Sequence, residues 1–495
     1  MSADTFIHRL TDRLAADPAR TVFIYEDGAM DAGAVLSRIQ FHARALAARG
    51  IGRGTLLSLF APTAPDAICL RYAASLLGAA TCYLSAPPSA AMRAALIAKI
   101  APTLLVVFPQ TRALLPPGLD VPVRAVGDCG PDLARLDQDV PEGDDIACQA
   151  LPEDLGVIHS SGGSTGLPKG SCRDFATYSR MVDGPPNPAR RQLVNGRLAY
   201  LSGVMVDATL LGGGTVVLRD GFSIADTLAQ IESQRITDLF LVEPQLFELM
   251  DDPALADTDI SSLRMIVHIG ASAPAVLRQR ARARLGAVVA HPYGASEQGV
   301  VTFLSPAEHD PGLPERFTSA GRLVPGVDLR LRKADGTLAA TGEPGLIETR
   351  PANMAQSYRH QPDLSTTAFA DGWYHSGDMG VLDAAGYLHV LGRADDITGT
   401  GDALVTSTGL EDTLCRLPGV RYAVVVLDRD SGRRVAAVEP WPGGEIDRDA
   451  CTAALAEAYG AEVADATAII PLPRVPRTEQ GKPDRQAIKE LGAGA

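Results

Sequence analysis

Short apolar runs alternate with helix-period stretches through the first four-fifths of the chain. Leu56–Phe60, Leu104–Phe108, Gly156–His159, Thr215–Leu218, Leu239–Val242 and Met265–Ile269 are brief and mostly apolar, the pattern of strands buried between layers. Between them Ala29–Arg49, Pro65–Leu77 and Ile224–Gln234 repeat their apolar positions with a helical period. Strands alternating with helices predict an α/β architecture of layered, largely parallel sheets. From about residue 317 to 392 the pattern changes. Val327–Leu331, Gly345–Thr349 and Gly386–Val390 read as strands set between Gly, Pro and Asp turns, which predicts a small β-rich subdomain. After the loop Arg393–Asp402 the chain reads as α+β. A helix near Gly409–Leu417, a strand Tyr422–Leu427, a helix Arg448–Ala458 and a strand Ala468–Pro471 precede a polar tail. Two domains follow: residues 1–394, and a small C-terminal domain over 395–495.

Composition narrows the class. A chain of 495 residues exceeds what one core serves, and 46% hydrophobic with 21% charged residues is ordinary for a soluble globular protein. Disordered, collagen-like and small disulfide-stapled chains are excluded. The formal charge is −14, from 45 basic and 59 acidic residues, so neither nucleic acid nor an anionic membrane is an expected partner. Any phosphate must be met by local chemistry. Cys69, Cys82, Cys129, Cys148, Cys172, Cys415 and Cys451 show no paired short spacing, which suits free thiols in a reducing cytoplasm. Met1–Phe23 carries charges through its apolar positions, unlike a signal peptide. No uncharged apolar stretch of about 18 residues reads as a spanning helix. Only five of the basic residues are lysines (Lys99, Lys169, Lys333, Lys482 and Lys489), so a lysine here is a candidate for chemistry that arginine does badly.

Four segments carry that chemistry. The first, Ser160 to Gly170, holds Ser161, Gly162, Gly163, Ser164, Thr165, Gly166 and Lys169. Its glycines let successive N–H groups turn toward an anion, its hydroxyls add donors, and its lysine adds a compact charge. It is a phosphate-binding segment but not a Walker loop, since Pro168 precedes the lysine and no Gly-Lys-Ser/Thr follows. The second, Tyr293-Gly294-Ala295-Ser296-Glu297, follows the apolar run Ala287–Ala290 and is expected at a strand end, where α/β sheets place ligands. A hydroxyl beside a carboxylate suits a phosphate with its Mg²⁺. In the third, Gly372 to Asp378 is followed by Arg393. Asp378 suits the hydroxyls of a ribose, and Arg393 can donate to ribose or phosphate. The fourth is the basic turn Pro476 to Arg485, around Lys482.

In this order, over nearly the whole chain, the four segments resemble the adenylate-forming superfamily of acyl- and aryl-CoA ligases, nonribosomal adenylation domains and luciferases. Gly342-Glu343-Pro344-Gly345 and Ser319-Ala320-Gly321-Arg322 match further family segments. The resemblance implies an active site between a large N-terminal and a small C-terminal domain. There a carboxylate attacks the α-phosphate of MgATP, and after domain rotation a nucleophile displaces AMP. It implies that Ser161 to Lys169 hold the β- and γ-phosphates, Ser296 contacts phosphate and Glu297 binds Mg²⁺. Tyr293 would line the adenine site, Asp378 and Arg393 would hold the ribose, Asp395 would be the hinge and Lys482 the adenylation lysine.

Three departures from the family bear on substrate and acceptor. Tyr200 stands where acyl-CoA ligases often carry a His or large aromatic residue and amino-acid-activating domains an Asp, which argues against an α-amino acid. Asp207, in the apolar stretch Val204–Ala208, either receives a substrate amine or faces water from a helix, the second being the more expected. In the post-hinge loop Asp402 replaces a family glycine, and Ser407 and Gly409 stand where Pro and Glu are usual. A carboxylate there disfavours the polyanion CoA. The expected acceptor is CoA, loaded with a small acid. The alternative resembles ATP-dependent diazotases, which pass nitrite to an aryl amine.

Overall fold

A computed structural model of the chain describes residues 5–26, 28–160, 168–269, 273–399 and 403–492. Among these residues the strands assemble into four sheets. The largest runs in space from Arg322–Leu323 through Gly299–Leu304, Val289–Ala295, Met265–His268, Asp238–Leu241, Arg191–Val194, Thr215–Leu218 and Thr21–Tyr25 to Gly28–Asp31. Its inner pairs are parallel and antiparallel strands close both edges. A second sheet runs Ser357–Tyr358, Gly170–Asp174, Leu155–Ser160, Ala80–Tyr83, Leu56–Leu59, Leu104–Val107 and Val123–Ala125, parallel from Leu155–Ser160 onward. Both sheets share one core. Phe23 and Val216 of the first and Leu57 and Val157 of the second pack with Leu10, Ile39, Leu70 and Leu210 from the helices Phe6–Ala16, Ala32–Ala47, Pro65–Leu76 and Leu201–Leu211. The helix Pro65–Leu76 is buried almost all round, as a helix between two sheets must be.

The six strands expected from short apolar runs all form, each within one residue of its predicted bounds. One helix start is corrected. Gly28–Asp31 is an exposed edge strand paired antiparallel with Thr21–Tyr25, and the Asp31 carboxylate accepts the Ala34 N–H at 2.8 Å to open the helix Ala32–Ala47.

The β-rich region is a four-stranded antiparallel sheet of Val327–Arg332, Pro344–Pro351, Tyr374–Leu382 and Leu388–Arg393. Its third strand, which carries Asp378, is not anticipated by the sequence pattern. The small C-terminal domain is a three-stranded sheet, Val420–Leu427, Arg434–Pro440 and Thr467–Pro471, with helices that include Ser407–Cys415 and Arg448–Tyr459. The expected polar tail contains a further helix, Arg485–Gly492, anchored by the buried Ile488. The domain docks through apolar contacts: Leu414, Tyr422 and Val424 share a cluster with Phe247, Met250 and Leu277 of the large domain. All seven cysteines are free thiols, and among the described residues no helix is long and apolar enough to cross a membrane.

Candidate active site

Both large sheets, the antiparallel sheet and the C-terminal domain border one cavity of about 2280 Å³, lined among others by Lys169, Glu297, Asp378, Arg393 and Lys482. That exceeds the ~300–1,000 Å³ of a single small-molecule site. A nucleotide and a second substrate have room side by side.

The first predicted segment is flanked in the chain by two paired strands. Leu155–Ser160 and Gly170–Asp174 pair antiparallel with Ser160 opposite Gly170, and the predicted contacts Ser161, Gly162, Gly163, Ser164, Thr165 and Gly166 lie outside the described residues. Lys169 enters the cavity with its ammonium 5.1 Å from the centroid of the Tyr358 ring, an attractive cation–π placement. The Tyr358 hydroxyl donates to Glu297 Oε1 at 2.9 Å, so one tyrosine joins the lysine to the carboxylate.

Glu297 is held from behind. The buried Arg173 guanidinium donates to the Glu297 carbonyl at 3.1 Å and to the Asn353 carbonyl at 2.8 Å, and burial lowers its pKa to about 10. Among the described residues Glu297 Oε2 has no hydrogen-bond partner. Nor do any three His, Cys, Asp or Glu side chains among them form a metal site of their own. A hard divalent cation at Glu297 would therefore be completed by phosphate oxygens and water, the coordination Mg²⁺ prefers.

Tyr293 and Gly294 lie inside the strand Val289–Ala295, with Ser296 and Glu297 just past its end. A Cβ on Gly294 would fall 2.2 Å from the Gly299 carbonyl oxygen of the facing strand, so close strand packing demands glycine there. The Tyr293 hydroxyl donates to Asp378 Oδ2 at 2.6 Å, and Arg393 Nε lies 3.4 Å from Asp378 Oδ1. Arg393 also donates to the Ser376 carbonyl at 2.6 Å. Burial raises the Asp378 pKa above the usual carboxylate range, against the pull of Arg393. The expected ribose pair is thus assembled in one place, with Tyr293 as its third member.

Asp395 follows in a single 3₁₀ turn, Ala394–Asp396, and both its carboxylate and that of Asp396 are gripped by Arg429 of the C-terminal domain, at 3.1 Å and 2.9 Å. Lys482 sits in a tight turn: Thr478 N–H donates to its carbonyl and Gly481 N–H to the Thr478 carbonyl. Gly481 has φ +81°, and a Cβ there would meet Gln245 at 3.2 Å and Val242 at 3.3 Å, so glycine lets the turn lie flush on the large domain. Among the described residues the Lys482 ammonium has no ion-pair partner, and burial lowers its pKa below the usual lysine range.

The two expected substrate residues are placed differently. Tyr200 does line the cavity, but its hydroxyl donates to Glu479 of the C-terminal domain at 2.5 Å. Asp207 corrects both alternatives offered for it. It neither faces water nor reaches the cavity; it is 1% exposed, accepting from Arg71 at 2.6 Å, Tyr72 at 2.6 Å and Tyr178 at 2.5 Å. Its lone pairs are spent on the core. Asp402 lies outside the described residues. Sequence motifs assign no role to Tyr358, Arg173 or Glu479. Only Glu479 had a signal, its place between Thr478 and Lys482.

The family model for AMP-binding enzymes matches residues 10–359. The medium/long-chain-fatty-acid–CoA ligase of Mycobacterium tuberculosis is 31% identical over 70% of this chain and 62% of its own, so the chain spans less than two thirds of that relative. An indoleacetate–CoA ligase of Aromatoleum aromaticum is 27% identical over 96% of both chains. Among solved structures, an amide bond synthetase from Marinactinospora thermotolerans superposes with a TM-score of 0.86 at 28% identity, covering 98% of this chain and 99% of that one. The site geometry and these similarities converge: the chain belongs to the AMP-binding enzyme family.

Proposed function

We propose that this protein is an ATP- and Mg²⁺-dependent ligase that joins a small acid to AMP with release of pyrophosphate and then transfers the acyl group to CoA. The observation that carries the reading is the Lys482 ammonium. Among the described residues it has no ion-pair partner, and it lines the same cavity as Glu297 and the Asp378–Arg393 pair. In the first step an oxygen of the acid bonds to the α-phosphorus and the bond to pyrophosphate breaks. A pre-placed ammonium can bridge the incoming carboxylate and the α-phosphate oxygens as charge builds between them. Asp378, oriented by Tyr293 and Arg393, accepts the ribose hydroxyls. Lys169 and the segment 161–166 hold the β- and γ-phosphates, with Ser296 beside them. Bound Mg²⁺ would neutralise phosphate charge, and Glu297 would be its protein ligand. Residues 395–495 then turn about Asp395, carrying Lys482 out and admitting the acceptor.

CoA as acceptor is supported by the two CoA ligases above, one of them matched along 96% of its length. An amine acceptor is the second reading, favoured by full-length similarity to an amide bond synthetase. Product analysis separates them. With ATP, Mg²⁺ and a panel of fatty acids, aryl acids, amino acids and nitrite, each with CoA or an amine, we expect AMP release with a carboxylic acid and a thioester when CoA is present. An amide formed while CoA goes unused would establish the second reading. A diazonium-derived product from nitrite, or no AMP release with any acid, would overturn both.

A further inference from the structure

The Glu479 carboxylate crosses from the C-terminal domain into the large one. Both of its oxygens accept the Ala86 N–H at 3.0 Å, Oε1 also accepts the Tyr200 hydroxyl at 2.5 Å, and Arg197 Nε lies 3.9 Å from Oε2. These partners come from unconnected parts of the fold. Ala86 follows the strand Ala80–Tyr83, and Tyr200 opens the helix Leu201–Leu211. Ala86 also adjoins Ser85, whose hydroxyl is 2.8 Å from that of Ser160, the last residue before the predicted phosphate loop. Glu479 and Lys482 share one turn, closed by the Thr478–Lys482 and Gly481–Thr478 backbone bonds. Arg474 and Arg477 brace it further, pairing with Glu248 at 2.6 Å and 2.8 Å.

We infer that Glu479 is a positioning residue for adenylation. Its carboxylate, clamped by Ala86 N–H and Tyr200 O–H, fixes the depth and orientation at which the Lys482 turn meets the phosphates. The inference rests on the adenylation reading and deepens it. It also reassigns Tyr200, from a wall against the acid to the large domain's half of the clamp. A carboxylate suits the task because charge-assisted bonds are strong and directional, and because they release together when the domain turns away. Misplacing a catalytic group by about 1 Å costs on the order of 10²-fold in rate. The clamp therefore acts on the adenylation step and not on transfer, when Lys482 is withdrawn.

The test compares wild type, Glu479→Ala, Glu479→Gln and Tyr200→Phe in acid-dependent ATP–pyrophosphate exchange and in transfer from a prepared acyl-adenylate. Glu479→Ala should lower the exchange kcat by roughly 10–10²-fold. The KM for ATP and the transfer rate should stay within about twofold, the margin of an unperturbed step. Glu479→Gln keeps an acceptor oxygen and should recover most of the loss. Tyr200→Phe should lose less, and nothing further when added to Glu479→Ala. Equal loss in both half-reactions, no loss in exchange, or independent additive effects would overturn the inference. Wild type inactive in exchange with every acid would instead refute the adenylation reading. The clamp is then judged by amide hydrogen exchange, where Glu479→Ala should deprotect the segment around Ala86 and unchanged protection would overturn it.

Discussion

Asp207 shows how burial rewrites what a residue can do. On a helix of apolar neighbours it reads as a surface carboxylate or a receptor for an amine; in the fold it takes hydrogen bonds from Arg71, Tyr72 and Tyr178 inside the shared core of the two large sheets. Removing one partner of a buried ion pair leaves the other uncompensated, at a cost of about 3–5 kcal/mol. Asp207→Ala should therefore lower unfolding stability by that amount in a urea titration, and Asp207→Asn by less. The KM for the acid should not change in the milder variant. A stable Asp207→Asn protein with a raised KM would return the residue to the substrate site. Lys482 is the reverse case. Its turn reads alone as an exposed basic turn and takes on a role only through the family resemblance; in the fold Lys482 lines the cavity, and its ammonium has no ion-pair partner among the described residues.

The strand Val420–Leu427 docks on the helix Glu243–Asp251 through an apolar face with a polar contact at each end of the helix, one of them from Arg421 Nε to Asp251 Oδ2 at 3.1 Å. The Tyr422 hydroxyl donates to Glu243 Oε1 at 2.6 Å, while Oε2 is buried without a partner among the described residues. Burial, with the like charge of Glu411 nearby, raises the Glu243 pKa to about 8, against the pull of Arg485 and Arg278. Between its ordinary value near 4.5 and about 8 the docked side chain holds a proton that the hydrated one has lost. Its contribution to stability is full below the lower value and falls as pH rises through that window. The thermal midpoint of wild type relative to Glu243→Gln should drop from pH 5 to pH 8 and then level off. A difference that grows with pH would contradict the docked geometry.

Runs such as Leu104–Val107 and Thr215–Leu218 were legible because central parallel strands are covered on both faces and need apolar residues throughout. Gly28–Asp31 was not, because an exposed edge strand carries no such demand. Tyr374–Leu382 was missed because Ser376, Gly377 and Asp378 interrupt its pattern with small and polar residues, Ser376 and Asp378 lining the cavity. Tyr358 and Arg173 meet Glu297 through strand pairing across more than 60 positions of chain, a distance no local motif encodes.

Over the whole molecule, the C-terminal domain meets the large one through the apolar cluster around Tyr422, the Glu479 turn over the cavity and the ion pairs of Arg421 with Asp251 and of Arg474 and Arg477 with Glu248, while Arg429 grips Asp395 and Asp396 within the domain itself. The Glu479 turn also carries Lys482, which lines the cavity, and the Arg429 grip falls on the proposed link about which the domain would turn. In the proposed reaction this docked arrangement is the one that makes an adenylate, with Lys482 as its catalytic charge. The most direct test is ATP–pyrophosphate exchange with the best acid, wild type against Lys482→Ala, alongside ATP binding and transfer from a prepared adenylate. Exchange should fall by on the order of 10²–10³-fold, the scale of losing one preorganised charge, while ATP affinity and transfer are retained. Exchange near the wild-type rate in Lys482→Ala would contradict a catalytic role for the lysine.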